Sequence, residues 1–176
     1  MLQAVKYGRK EIIVKTFIIL IILWAANLAY CLIHETAHAV IAVAAGGEVY
    51  GVYVNALGDK GHTIYSPLDN PMTMAAVYAA GTATTTLLAL GTLWLDITPV
   101  TMLFAIRTSL SALNYSPGTD MAMVQALAGE TSIYLSIVLI IINTAVVMWC
   151  LKKPYSKLIN AFSSLWRARP EHNSPE

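Results

Sequence analysis

Charged residues are scarce in this sequence: Asp, Glu, Lys and Arg make up 12% of its 176 residues, whereas hydrophobic residues make up 57%. The mean hydropathy of +0.61 is too high for an ordinary soluble domain of this size. Because the apolar residues also fall in long blocks, the sequence predicts an all-α polytopic membrane protein folded as one compact bundle.

Cysteine is scarcer still, since Cys31 and Cys150 are the only two and both lie in apolar blocks. This excludes a disulfide framework and predicts two buried thiols. A basic flank precedes the first apolar run, but no small-x-small cleavage site does. We therefore expect that apolar segment to remain in the mature protein.

The first apolar block, residues 17–45, carries His34, Glu35 and His38 in an H-E-x-x-H pattern. On a helix the two histidines lie one turn apart on the same face, so both imidazoles can reach one zinc ion. The glutamate beside them can act on water that the metal activates. Ionisable side chains at membrane depth are costly and by default mark a functional site.

A small hairpin is predicted directly after this block. The first span covers residues 12–45 and ends at the glycine pair 46–47, which suits a helix C-cap. Val and Tyr are frequent from 48 to 57, which favours a strand. A turn signal at 58–61 allows residues 62–66 to return as a second strand. We expect this β-hairpin at the membrane surface, beside the C-terminal end of the histidine helix.

Three further spans bring the prediction to about four transmembrane helices. The second covers residues 72–95, the third begins near 99, and the fourth covers 131–151. The third is interrupted at 114–120 by proline and glycine, and freed backbone at membrane depth is tolerated only against protein or a water-filled cavity. A short helix with Asp120 as its N-cap is expected to follow.

The domain organisation is predicted to be simple. Residues 1–154 are assigned to one transmembrane core, and residues 155–176 to an amphipathic segment followed by a polar tail. Small side chains dominate residues 79–86 of the second span, around Gly81. We interpret this run as a surface on which a neighbouring helix packs closely.

A catalytic zinc usually takes three protein ligands, so a third must be found beyond the two histidines. The residues alone offer several candidates, which are Asp120, Glu130, Asp96, Asp69 and His62. Asp120 is the preferred one because it follows the broken helix, where an unpaired carboxylate would be expensive. Glu130 lies in a predicted loop, where a solvated charge is ordinary.

Two motifs together resemble the site-2 protease family of intramembrane zinc metalloproteases. They are H-E-x-x-H at 34–38 and N-x-x-P-x-x-D at 114–120, and the resemblance extends over residues 22–127. It includes the glycine pair, the hairpin and the small-residue segment. The sequence reads Thr-Asp-Met at 119–121, where that family usually has a Leu-Asp-Gly-like motif.

The resemblance implies a set of roles for named residues. His34, His38 and Asp120 would hold one Zn2+ ion per chain. Glu35 would be the general base that takes a proton from zinc-activated water and later passes it to the leaving amine. Asn114 is a candidate donor to the oxyanion, or alternatively a cap at the helix break.

For other features near the motifs, more than one role is compatible with the sequence. Arg107 shares a polar stripe with Asn114 and is expected to pair with an acidic residue of the bundle, or else to contact substrate. Cys31, one turn before Glu35, is not expected to bind the metal. The hairpin either presents a substrate strand along its edge or simply covers the surface of the bundle.

The expected activity is hydrolysis of peptide bonds within or near transmembrane segments. Single-span membrane proteins are the expected substrates, and the lipid bilayer surrounds the protein. No nucleic acid is expected as a partner, and the oligomeric state is left open. Two alternatives are a membrane metal-ion transporter, whose His, Glu and Asp side chains form a transit site, and a catalytically inactive scaffold that binds membrane helices. The intact Glu35 disfavours the scaffold.

The orientation in the membrane is predicted from the distribution of basic residues. Nine of the eleven Lys and Arg residues lie near the two ends of the chain, and only Lys60 and Arg107 do not. With four spans, the positive-inside rule places both termini in the cytoplasm. That orientation sets the histidine cluster near the outer face, whereas the family resemblance implies an active site towards the cytosol.

Overall fold

The computed structural model describes residues 9–95 and 97–152, which form five α-helices, one 3-10 turn and one small sheet. In chain order the elements are α1 (Arg9–Ala44), β1 (Val49–Val54), β2 (Gly61–Tyr65), α2 (Pro71–Thr92), the 3-10 turn Leu93–Leu95, α3 (Thr98–Ala112), α4 (Asp120–Ala128) and α5 (Thr131–Lys152). The predicted C-terminal segment, residues 155–176, lies outside the described residues, as does most of the N-terminal lead-in.

Helix α1 extends over 36 residues, or about 54 Å at 1.5 Å per residue. It ends at the glycine pair as predicted. Gly46 adopts a left-handed φ of 86°, and the Gly47 N–H donates to the Ala42 carbonyl at 2.9 Å. This arrangement satisfies carbonyls that the last turn would otherwise leave free.

Three helices in the described part of the chain are long and apolar enough to cross a membrane. They are Ile13–Ala44, Pro71–Leu95 and Thr131–Lys152. The protein is therefore a mainly helical multi-pass membrane protein, as predicted. Helix α3 occupies the position of the expected third span, but its 15 residues make it shorter than the other three, so the count of four is approximate.

Helix α2 lies at the centre of the bundle and packs against α1, α3, α4 and α5. Most of its small-residue run is buried, and two threonine hydroxyls there are bonded within the helix: Thr85 donates to the Gly81 carbonyl and Thr86 to the Thr82 carbonyl, each at 3.0 Å. From α5, the buried Asn143 amide donates to Thr86 Oγ1 at 2.9 Å. Small side chains and such polar contacts let helices approach closely in lipid.

The hairpin is a two-stranded antiparallel sheet in which Val52 lies opposite Thr63 and Val54 opposite Gly61. Its position differs from the expected one. A Cβ at Gly58, in the turn, would lie 2.8 Å from the backbone of Asn27 and Leu28, about 26 Å before the end of α1. The sheet therefore runs back alongside α1, towards the middle of the candidate span, because its turn has partners there.

Side chains of α1 hold the hairpin turn in this place. Trp24 Nε1 donates to the Ala56 carbonyl at 3.0 Å, and Asn27 Nδ2 donates to the Leu57 carbonyl at 2.6 Å. Carbonyl groups of a turn that approaches an apolar environment must be bonded, because an unsatisfied one costs several kcal/mol. These two polar residues thus explain how an irregular segment packs beside a membrane helix.

Arg107 of α3 completes the anchor, which corrects the expected ion pair with an acidic residue. Its guanidinium donates to the Gly58 carbonyl at 2.6 Å and to Asn27 Oδ1, and it lies 4.5 Å from the centroid of the Tyr30 ring. Among the described residues no carboxylate lies within ion-pair distance of it. A main-chain carbonyl, an amide and an aromatic face satisfy the cation instead.

Candidate active site

His34, Glu35 and His38 lie together on one buried face of α1. Their exposed fractions are 8%, 7% and 4%, and one ligand atom of each lies within 4.8 Å of the others. The histidine rings are 4.9 Å apart between centroids. One helical turn separates positions i and i+4, so the local helix alone produces this arrangement.

Asp120, the first residue of α4, reaches the histidines from a distant part of the sequence. Its Oδ2 lies 2.7 Å from His34 Nε2 and 3.2 Å from His38 Nε2. The helix break before it turns the chain, with Gly118 at a left-handed φ of 82°. The N-cap of α4 is Thr119 rather than Asp120, so the aspartate occupies the first helical position. There the helix dipole favours a carboxylate, and its side chain is free to face α1.

The other candidates for the third ligand do not join this cluster. Glu130 and Asp69 are exposed, and His62 is exposed on the outer face of the hairpin, where it stacks on Tyr53. Asp96 lies outside the described residues. Among the candidates that the structure describes, Asp120 is the one that contacts both histidines.

A main-chain carbonyl of α2 fixes the His38 ring. His38 Nδ1 lies 2.6 Å from the Val77 carbonyl oxygen. Because a carbonyl only accepts, Nδ1 carries the hydrogen, and Nε2 of the neutral ring keeps its lone pair. Metal-binding histidines almost always have such a partner on the second nitrogen. The sequence could not reveal this contact, because a main-chain oxygen leaves no residue signature.

The His34 ring is held by packing. A Cβ at Gly81 would lie 2.5 Å from His34 Nε2 and 2.6 Å from Cε1, so no side chain fits at that position of α2. On the other side the ring stacks on Tyr30, with centroids 6.0 Å apart. The sequence suggested Gly81 as part of a helix-packing surface, and the structure adds that the group packed there is a histidine of the motif.

This set of donors suits zinc. Two imidazole nitrogens and one carboxylate oxygen converge, and these are the donor types that catalytic zinc sites use. The orientation of His38, with Nδ1 against a carbonyl and Nε2 facing Asp120, suits a metal ligand that binds through Nε2. His34, His38 and Asp120 could therefore hold the ion, with Glu35 beside it.

The hairpin lies directly on Glu35. Thr63 Oγ1 donates to the Glu35 side chain at 3.0 Å from Oε2 and to the Glu35 carbonyl at 2.8 Å. A Cβ at Gly61 would lie 2.6 Å from Glu35 Cγ. Gly61 and Thr63 alternate along β2 and so share one face. The alternation of Gly61 and Thr63 is visible in the sequence, but the sequence does not show which helix this face of β2 packs against.

A cavity of about 340 Å³ opens beside the motif, between α1, α3 and the hairpin turn. Its lining includes His34, Glu35, Arg107 and Asn114. The Asn114 Oδ1 accepts from the Ser116 N–H at 3.1 Å, as a cap of the helix break would, while the side chain also faces the cavity. Both roles expected for Asn114 are compatible with this position.

Two ionisable groups of the hairpin have shifted pKa values. The side-chain hydrogen bond from Asn55 to Asp59, 2.6 Å long, lowers the pKa of the Asp59 carboxyl. Burial raises the pKa of the Tyr65 phenol, so this side chain stays protonated at neutral pH. At neutral pH the Asp59 side chain is therefore ionised, beside Lys60 in the turn, whereas the Tyr65 side chain is uncharged.

The fold and the site define a class: a multi-pass membrane protein with a buried metallopeptidase motif. The sequence matches the family described as Peptidase M50B-like over residues 11–115. The chain belongs to that family, and the resemblance to site-2 proteases is confirmed. No curated protein matches the chain, and no solved structure does. The family match includes the H-E-x-x-H motif and ends before Asp120, so the case for Asp120 rests on its geometry.

Proposed function

We propose that this protein is an intramembrane zinc metallopeptidase that hydrolyses peptide bonds within or near transmembrane segments of single-span membrane proteins. The observation that carries the proposal is the approach of Asp120, 86 residues away in sequence, to within 3.2 Å of both motif histidines. Such a convergence of two helices would be costly without a function for the three polar groups. Membership of a peptidase family supports the same class of reaction.

Each residue of the cluster has a distinct task in this proposal. His34, His38 and Asp120 would hold the metal through two nitrogens and one oxygen. When bound, zinc lowers the pKa of water towards neutrality and polarises the substrate carbonyl. Glu35 accepts a proton from the attacking water at its carboxylate and delivers it to the leaving amine.

Asn114 faces the cavity that also contains Glu35, which supports a role in binding the substrate carbonyl. With its Oδ1 engaged by Ser116, the Nδ2 group is the part of the side chain that can donate. A donor placed where negative charge develops stabilises the transition state. The polar lining of the cavity also gives water a place to collect beside Glu35.

The test is metal analysis of the purified protein, followed by incubation with a panel of single-span substrates. Glu35→Gln should keep one zinc per chain and lose cleavage, because it removes the base and leaves the ligands. Asp120→Ala should instead lose zinc, with Glu130→Ala as a matched control that retains it. Undiminished cleavage by Glu35→Gln, or zinc loss in Glu130→Ala alone, would contradict these assignments.

The same preparation separates the transporter from the enzyme. Reconstituted into vesicles, a peptidase with one tight site should retain its zinc and move none across the bilayer. Zinc flux without cleavage would favour transport. A catalytically inactive scaffold would bind the substrates equally well with Glu35→Gln and release no products from either protein.

A further inference from the structure

Glu35 has a polar contact that the proposed reaction does not yet use. The Thr63 hydroxyl of β2 donates its single hydrogen between two acceptors of the same residue, the Glu35 carbonyl at 2.8 Å and Oε2 at 3.0 Å. This bridge ties the glutamate side chain to its own main chain. A glutamate has three rotatable side-chain bonds, so one such tie removes much of its freedom.

The backbone of β2 is shaped for this contact. Gly61, two residues earlier on the same face, has no side chain, and a Cβ there would lie 2.6 Å from Glu35 Cγ and 2.8 Å from Oε1. The strand can therefore lie flat against the glutamate. Ile64, which points to the other face, is 44% exposed. Only the inner face of β2 is adapted to α1.

We propose that Thr63 is a positioning residue for Glu35: its hydroxyl holds the carboxylate in the orientation from which it exchanges protons with water and the leaving amine. This inference rests on the proposed function of Glu35. Within residues 9–95 and 97–152, the hydrogen bonds of the Thr63 hydroxyl go to Glu35 alone, so Thr63 acts through Glu35. The hairpin is then part of the catalytic apparatus, because it supplies the group that orients the base.

The kinetic test compares Thr63→Val, which keeps the shape and removes the hydroxyl, with Thr63→Ser, which keeps the hydroxyl. Thr63→Val should retain zinc and KM within about twofold and lose roughly ten- to a hundredfold in kcat, the factor that one hydrogen bond to a charged group represents. Thr63→Ser should recover most of this loss. Thr84→Val, the same change in α2 outside the contacts of the site, should leave kcat unchanged.

A second measurement does not depend on activity. In zinc-free protein with 13C-labelled glutamate carboxyl groups, the Glu35 signal is identified by its absence in Glu35→Gln. That signal should shift in Thr63→Val and remain near its original position in Thr63→Ser. Thr63→Ala, which also removes the hydroxyl, is measured alongside in case the valine variant does not fold.

Equal loss of kcat in the serine and valine variants would overturn the proposal, since a packing role predicts that pattern. An unchanged kcat in a folded, zinc-loaded valine or alanine variant would overturn it as well. If the wild-type protein cleaves nothing while the Glu35 signal still responds only to loss of the hydroxyl, the contact exists and the proposed peptidase function is what fails.

Discussion

At the scale of single residues, two glycines leave space for groups of the site that any side chain would displace. Gly81 leaves room for the His34 ring, and Gly61 leaves room for Glu35. In both cases the group that needs the space lies on α1, and the glycine lies on a different element. The site is therefore shaped as much by missing side chains as by those that carry the chemistry.

Gly81→Ala tests whether the space at Gly81 is needed to place the His34 ring. The new Cβ would lie 2.5 Å from His34 Nε2, so the ring or the helix must move. Because the displaced atom faces Asp120, we expect a loss of zinc affinity of roughly ten- to a hundredfold, the range seen when support of a ligand is disturbed. Competition with a zinc chelator measures the zinc affinity of the variant and of the wild type.

Gly91→Ala is the matched control on the same helix. Nothing lies within 4 Å of a Cβ at Gly91, and alanine favours a helix over glycine. This variant should bind zinc like the wild type and unfold at the same or a slightly higher temperature. Equal zinc affinity in both variants would show that the close contact at His34 has no consequence.

The individual site residues were predictable from sequence to different degrees. The spacing of His34 and His38 is local, so any helix through the motif brings them together. Asp120 could be preferred because a carboxylate after a broken helix needs a partner. Val77 and Thr63 could not be found, since one contributes a main-chain oxygen and the other a contact between a strand and a distant helix.

At the scale of elements, the important property of the hairpin is that its strands have edges without a strand partner. Among the described residues β1 pairs only with β2, so each strand keeps one edge without a strand partner, the kind of edge with which an extended peptide can pair. The Asn55 N–H donates to the Lys60 carbonyl across the ladder. Antiparallel strands alternate their donors, so the N–H groups of Val52 and Val54 point to the free edge of β1.

Val52→Pro and Val54→Pro test whether that edge presents substrate. Each removes one outward donor and should preserve the sheet, because proline is tolerated where no ladder bond is lost. We expect cleavage of a transmembrane substrate to fall by roughly two- to tenfold, the value of one hydrogen bond, with zinc retained.

Two controls accompany the proline variants. Val52→Ala keeps the donor and should cleave normally, whereas Tyr53→Pro removes a ladder bond and should disrupt the hairpin. If both edge variants are folded, loaded with zinc and fully active, substrate does not use the β1 edge. The hairpin would then act by covering the bundle and orienting Glu35.

The helices and strands were predictable from the sequence, but the position of the hairpin against α1 was not. Long apolar runs predicted α1, α2 and α5, and Val- and Tyr-rich segments with a turn signal predicted the strands. The hairpin was expected at the membrane surface, beside the C-terminal end of α1, because its first strand follows that helix directly in the sequence. Its return along α1 depends on Trp24, Asn27 and Arg107, whose polar groups had no visible partner in the sequence.

At the scale of the whole molecule, the distribution of basic residues predicts the orientation in the membrane. The excess of basic residues near both ends predicts cytoplasmic termini if the chain crosses an even number of times. Helix α3, with 15 residues, is the shortest helix at a predicted span position, so its crossing decides whether the number is even. The loop between β2 and α2 lies on the same side as the end of α1, so it reports which side that is.

A single cysteine at Asp69, which is exposed in this loop, should react with a membrane-impermeant maleimide added to intact cells. Lys60, the lone basic residue of the turn, is a poorer reporter because the turn packs beside Asn27. The unmodified protein is the control, since Cys31 and Cys150 are buried thiols and should not react. Protection of Asp69→Cys until the cells are opened would instead place this end of α1, and the site near it, on the cytosolic side.

The hydrogen bond from His38 to the Val77 carbonyl has a consequence for how this protein tolerates mutation. The atom that supports the metal ligand belongs to the peptide chain, so every residue except one that distorts α2 supplies it equally well. The Val77 side chain is fully buried, so a scan of single substitutions at this position would report how well the new side chain packs and would not register the carbonyl contact. Neither the identity of residue 77 nor its tolerance to substitution records the support given to His38, and only a structure reveals the contact.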